Sequence, residues 1–151
     1  MDSILAILIT VISGVLVYII GEIIHEVWLE PLRQYKEIKS EVSYSLTYYA
    51  NLYSNVIDLA DKHKKAIKTY SQASDQLRVL AAKLRGFIET LSWFKPLIPS
   101  RETLYSASKE LIGLSNSFFC PYHTHEIRSQ CLENRDQANE IRKLLSITPI
   151  D

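Results

Sequence analysis

The residues best suited to chemistry lie in the last third of the chain. Cys120, His123, His125 and Cys131 form a Cys-x2-His-x-His-x5-Cys run. Thiolates and neutral imidazoles are the ligands that zinc takes in tetrahedral sites. The spacing matches no common zinc module, and Cys131 falls on the inward face of a helix pattern. Packing beside a polar loop is therefore expected there, with no metal. Glu22, His25 and Glu26 are also close in sequence, but they sit at the end of an apolar run rather than in a cleft. No Gly-rich phosphate loop, HExxH or GxSxG occurs. Neither an enzyme nor a cofactor is expected.

Binding is better served than catalysis. Lys62, His63, Lys64, Lys65 and Lys68 gather at the start of a long helix pattern. Basic residues are disfavoured near a helix N-terminus, where the backbone dipole is already positive. A nucleotide, RNA or phospholipid would relieve that repulsion, and a solvated helix start is the plain alternative. Arg33, Lys36 and Lys39 follow the apolar run closely, where each could gain about 1 kcal/mol from anionic lipid headgroups. Tyr44 and Tyr48 make an i,i+4 pair opposite Tyr35, Tyr49 and Tyr53. Exposed aromatic pairs suit protein contacts, so a subunit contact is expected there, with burial under a loop as the alternative.

These residues need elements to position them, and the first is apolar. Residues 4–20 hold 14 apolar side chains in 17 and no charge. Extended to residue 24, the run is about 31 Å long as a helix, which matches a bilayer core of about 30 Å. Met1, Asp2 and Ser3 supply no basic n-region, and Gly21-Glu22-Ile23 is a poor cleavage site, so an uncleaved anchor is expected. Basic residues follow the run and none precede it. That places the N-terminus outside and the rest in the cytosol. The division is a tail over 1–3, a span over 4–24 and a cytosolic domain over 25–151. The whole chain balances 17 basic against 17 acidic side chains. From His25 onward it carries 17 basic and 15 acidic, so the overall balance does not exclude an anionic partner. Two cysteines are too few for a disulfide scaffold and suit a reducing compartment.

The expected span has unlike faces. Ala6, Thr10, Ser13, Gly14, Val17 and Gly21 share about 100° of arc, with Leu5, Leu8, Ile12, Val15, Leu16, Ile19 and Ile23 opposite. Small residues let helices approach closely in lipid, and hydroxyls can hydrogen-bond across the contact. Homo-oligomerisation through the small face is expected. In a closed ring, Thr10 and Ser13 could face a lumen. A monomeric anchor with incidental small residues is the alternative.

The remainder reads as all-α. Leu32, Tyr35, Ile38, Val42, Leu46, Tyr49 and Tyr53 repeat at helical spacing and predict a helix ending near Asn55. Pro31 suits its first turn and could kink the junction. Tyr70, Ala73, Leu77, Leu80, Leu84, Phe87 and Leu91 keep an a/d heptad within a helix over 64–91. After a Pro-containing loop, Ser100 caps a third helix that turns Leu104, Ser108, Leu111, Ser115 and Phe118 inward. Thr124 caps a fourth, with Ile127, Cys131, Ala138, Ile141 and Leu145 inward. No strand of period two is visible. One transmembrane helix followed by a four-helix cytosolic bundle, assembled as a homo-oligomeric ring, is the expected architecture.

Several stretches resemble a group of small single-span bacterial membrane proteins. They are Glu30-Pro31-Leu32-Arg33-Gln34-Tyr35, Tyr48-Tyr49-Ala50-Asn51, Gln76-Leu77-Arg78-Val79-Leu80-Ala81 and Leu111-Ile112-Gly113-Leu114-Ser115-Asn116-Ser117. In layout the chain resembles the membrane pore accessory protein of type VI-B CRISPR systems, whose cytosolic part resembles a nucleotide-binding class of helical ribonucleases. That class carries Arg followed four to six residues later by His, and no Arg here has such a His. The resemblance implies an oligomeric effector that opens a pore in the inner membrane, or otherwise perturbs it, in antiphage defence. Two other functions remain. One is a membrane-anchored sensor gated by a nucleotide or RNA at Lys62, Lys64, Lys65 and Lys68. The other is a non-catalytic adaptor that recruits a partner protein through Tyr44 and Tyr48.

Overall fold

The structure is a computed structural model, and it describes residues 2–55, 57–58, 64–91, 97–120 and 124–148. The helices are α1 (Asp2–Ile24), α2 (Glu30–Tyr48), α3 (Ala50–Tyr53), α4 (Lys64–Thr90), α5 (Arg101–Asn116) and α6 (Thr124–Leu144). A π-helical turn over His25–Leu29 joins α1 to α2, so one helix runs without a break from Ser3 to Tyr48. Pro31 stands in the first turn of α2. Proline offers no N–H, and its ring crowds the carbonyl four residues back. The wider turn just before it meets that crowding, and the N–H of Glu30 reaches back to the carbonyl of His25.

α1 is long and apolar enough to cross a membrane, and none of its apolar stretch is buried. The other helices share one hydrophobic core. α4 packs on α2 and α5, and α5 packs on α6. The heptad of α4 is buried along its length, from Tyr70 through Leu77, Leu80 and Leu84 to Leu91. Val42 and Leu46 from α2, Leu104, Leu111 and Leu114 from α5, and Ala138 and Ile141 from α6 share the same core in full burial. Two inward serines of α5 are also accommodated. Ser108 Oγ donates to the carbonyl of Ala81 at 3.1 Å, and the carbonyl of Ser115 accepts from Ser74 Oγ at 2.8 Å. A buried hydroxyl needs such a partner, and here it also ties α4 to α5.

The ends of the elements differ in how locally they are set. Ser100 caps α5 as expected, its hydroxyl accepting from the N–H of Thr103 at 3.1 Å. The first packed helix does not continue to Asn55. It breaks at Tyr49 (φ −94°, ψ 12°), and the short α3 follows. The break brings Tyr53 back over the end of α2, where its hydroxyl donates to the carbonyl of Leu46 at 3.0 Å. Tyr49 is therefore half-buried rather than a core residue. α6 closes with Ser146 in the left-handed region (φ 54°), and the N–H of Ile147 donates to the carbonyl of Arg142 at 2.7 Å. Strands β1 (Ile57–Asp58) and β2 (Phe119–Cys120) pair in parallel for two residues. Such a stretch is too short to leave an alternating pattern.

Candidate functional site

On α1, the small face is open along its length. A Cβ built on Gly14 or Gly21 meets nothing within 4 Å. Thr10 Oγ1 donates to the carbonyl of Ala6 at 2.9 Å, and Ser13 Oγ donates to the carbonyl of Thr10 at 3.0 Å. Both hydroxyls are thus satisfied within their own helix, which removes most of the penalty for placing them in an apolar medium. Ala6 and Val17 are exposed on the same face. Around it, large apolar side chains such as Ile4 and Tyr18 are 73% and 71% exposed.

The charges after α1 are only partly available. Arg33 holds Glu30 in a two-pronged contact, with Nε and Nη2 at 3.0 and 2.9 Å from its two carboxylate oxygens. Gln34 donates to the same carboxylate at 2.9 Å. The hydrogen bond from Arg33, followed by that from Gln34, lowers the pKa of Glu30 from 4.5 to about 2. Of the three expected headgroup contacts, Arg33 is therefore committed within its own helix. Lys39 reaches across the fold instead, donating to the carbonyl of Ser146 at 2.7 Å. Lys36 is exposed.

Tyr44 and Tyr48 do form an exposed pair. Their rings stack with centroids 5.6 Å apart and planes 13° apart, and they are 67% and 66% exposed. Tyr48 also meets Tyr49 edge-on at 5.0 Å. Burial raises the pKa of the Tyr49 hydroxyl, helped by its two tyrosine neighbours. A shallow groove of about 550 Å³ brings Tyr44 together with Lys36 and Lys39, closed on the far side by Ser146, Ile147 and Thr148. Two clusters read separately in the sequence thus meet on one surface.

The lysine cluster falls mostly outside the described residues. That holds for Lys62 and for the side chains of Lys64 and Lys65, whereas Lys68 is exposed on α4. His123 and the side chains of Cys120 and His125 are outside them too. Cys131 is a free thiol, half-buried rather than in the core. Among the described residues no cluster of three metal-ligating side chains exists.

One constellation was not anticipated. Arg135, Asn139 and Arg142 recur at i, i+4 and i+7 along α6, which sets them on one helix face. Arg142 is only 5% exposed. Its guanidinium meets Asn139 Oδ1 at 3.2 Å, Tyr53 Oη at 3.3 Å and the carbonyl of Leu46 at 3.5 Å. The spacing alone carried the signal, but nothing in the sequence tells a buried arginine from a solvated one.

Taken together, the fold and its surfaces define a helical protein with one candidate membrane-spanning helix. Compared with family models, curated proteins and solved structures, the chain matches none.

Proposed function

We propose that the chain is an oligomeric membrane effector, anchored by α1 and carrying its packed helices as a four-helix bundle on the cytosolic side. The observation that carries this reading is α1 itself. A helix apolar on every side and buried on none is covered by lipid, and water is its worst environment. Its open small face, from Ala6 to Gly21, supplies a surface on which copies of the helix can approach closely. Association of several copies around that face would give a homo-oligomeric ring that opens a pore or thins the bilayer. The layout resemblance to the type VI-B accessory protein supports placing that activity in antiphage defence. Arg33, Lys36 and Lys39, close after α1, support placing the packed helices on the cytosolic side.

Gly14→Leu is the decisive variant. It should insert into the membrane as the parent does, yet lose assembly and any growth arrest on expression. Size measurements in mild detergent and dye leakage from vesicles would read both. A parent protein that is monomeric at every concentration would sink the proposal.

A second reading rests on the stacked Tyr44–Tyr48 pair, which fits an adaptor that recruits a partner protein. Replacing α1 with an unrelated span separates the two. An adaptor keeps its activity, and a pore former loses it.

A further inference from the structure

Among the described residues, the buried arginine of α6 is a cation without a counter-ion. All three partners of Arg142 are neutral: an amide oxygen, a phenol and a backbone carbonyl. Among the described residues it makes no ion pair. The carbonyl of Leu46 lies near the C-terminal end of α2, whose partial negative charge offsets some of the cost. A full charge removed from water is still poorly compensated by dipoles alone. A cavity of about 250 Å³ opens beside it, lined by Ala50, Tyr53, Ser54, Arg135, Asn139 and Arg142. Among the described residues the lining holds two guanidinium groups, an amide and two hydroxyls, and no carboxylate.

We infer that this cavity between α3 and α6 is a binding site for a soluble phosphate-bearing anion. The fork of donors on a guanidinium matches phosphate oxygens in pairs. Arg142 supplies a fixed, largely desolvated charge at the floor, and Arg135 a mobile one at the rim. The amide of Asn139 and the hydroxyl of Ser54 can donate to the remaining oxygens, while the Tyr53 hydroxyl, already donating to the carbonyl of Leu46, helps hold Arg142 in place. The volume admits a phosphate and a small substituent, well short of a nucleic-acid strand. A phospholipid headgroup carries the same chemistry but lies too far away. Leu46 is about 33 Å along the helix from the end of α1, at 1.5 Å per residue. A bound anion would tie α6 to the junction of α2 and α3 and so make that junction ligand-dependent. None of this depends on α1 forming an assembly.

The test uses the full chain in a neutral, lipid-free detergent. Thermal unfolding is followed with potassium phosphate against potassium chloride at matched ionic strength, and again with phosphatidylglycerol added to the micelles. Phosphate should raise the Tm by a few degrees at saturation beyond any effect of chloride. Arg135→Gln, at an exposed position, should weaken the apparent affinity by about tenfold without unfolding the domain. Lys109→Gln, exposed on α5, should leave the response unchanged and so rule out a diffuse charge effect. Arg142→Lys keeps the charge but not the fork, and should weaken binding more than Arg135→Gln does. The inference is overturned if phosphate does no more than chloride, or if Arg135→Gln responds like the parent. It is equally overturned if only phosphatidylglycerol stabilises.

Discussion

α1 and α4 are the longest apolar-rich helices of the chain, and they solve opposite problems. In α4 the apolar residues hold one stripe and charges hold the rest, so one face is buried and Lys83 and Arg85 stay outside. In α1 apolar residues occupy every side, and nothing among the described residues covers them. Composition alone ranks α1 as the stronger hydrophobic element. Periodicity decides which of the two builds the core. An apolar stripe specifies a protein neighbour, whereas an apolar cylinder specifies an apolar medium.

The contrast is broken or upheld most directly by matched truncations. Leu84→Ala removes a side chain with no exposure, and should destabilise the packed helices by about 2–5 kcal/mol, the transfer loss plus the cavity left behind. Leu8→Ala, on the bulky side of α1, should change that same unfolding transition by less than about 0.5 kcal/mol. Chemical denaturation of the full chain in detergent, followed by circular dichroism, reads both. If Leu8→Ala costs as much as Leu84→Ala, α1 is packed against the protein and the contrast fails.

The glycines sharpen the same comparison at smaller scale. Gly86 in α4 and Gly14 in α1 both have free space where a Cβ would stand. Gly86 is exposed in mid-helix, so Gly86→Ala should stabilise the packed helices by about 0.5–1 kcal/mol through helix propensity alone. Gly14 has the same open surroundings, yet a large side chain there should act on assembly and leave the unfolding transition alone. Thermal melts of the two variants in parallel check this. A Gly86→Ala protein less stable than its parent would mean that the groove between α2 and α4, lined by Ile38, Glu41, Lys83 and Gly86, is occupied.

Much of the fold was legible because local pattern and burial agree. The heptad from Tyr70 to Leu91, the Ser100 cap and the inward serines of α5 each state their role within a few residues. The break at Tyr49 was not legible, because its cause is distant. The carbonyl of Leu46 is met by Tyr53 from α3 and by Arg142 from α6, the latter 96 positions away. The π turn was half legible, since Pro31 announces a disturbance but not its form. The candidate surfaces divide in the same way. The small face of α1 and the tyrosine stack follow from helical spacing. The cavity around Arg142 depends on which residues α3 brings to it, and a sequence read one helix at a time does not contain that.

The Glu30–Arg33 pair sits where the two regimes meet, and it should have the smallest effect. It is an exposed contact on a single helix, so Glu30→Gln should barely move the stability at pH 7, and high salt should erase the difference. Its pH dependence is nevertheless diagnostic. The carboxyl titrates near 2 in the folded chain rather than at its ordinary 4.5, because it accepts hydrogen bonds from Arg33 and Gln34. A pKa depressed by folding contributes its stabilisation in full above the unfolded value and loses it as pH falls toward the folded one. The small gap between parent and variant should therefore be constant above about pH 5, shrink below 4.5, and vanish near 2. Paired melts across that range would show it. A gap that persisted at low pH would mean that the effect of the substitution does not come from the charge of the carboxylate, and that the pairing with Arg33 contributes nothing to the stability of the fold.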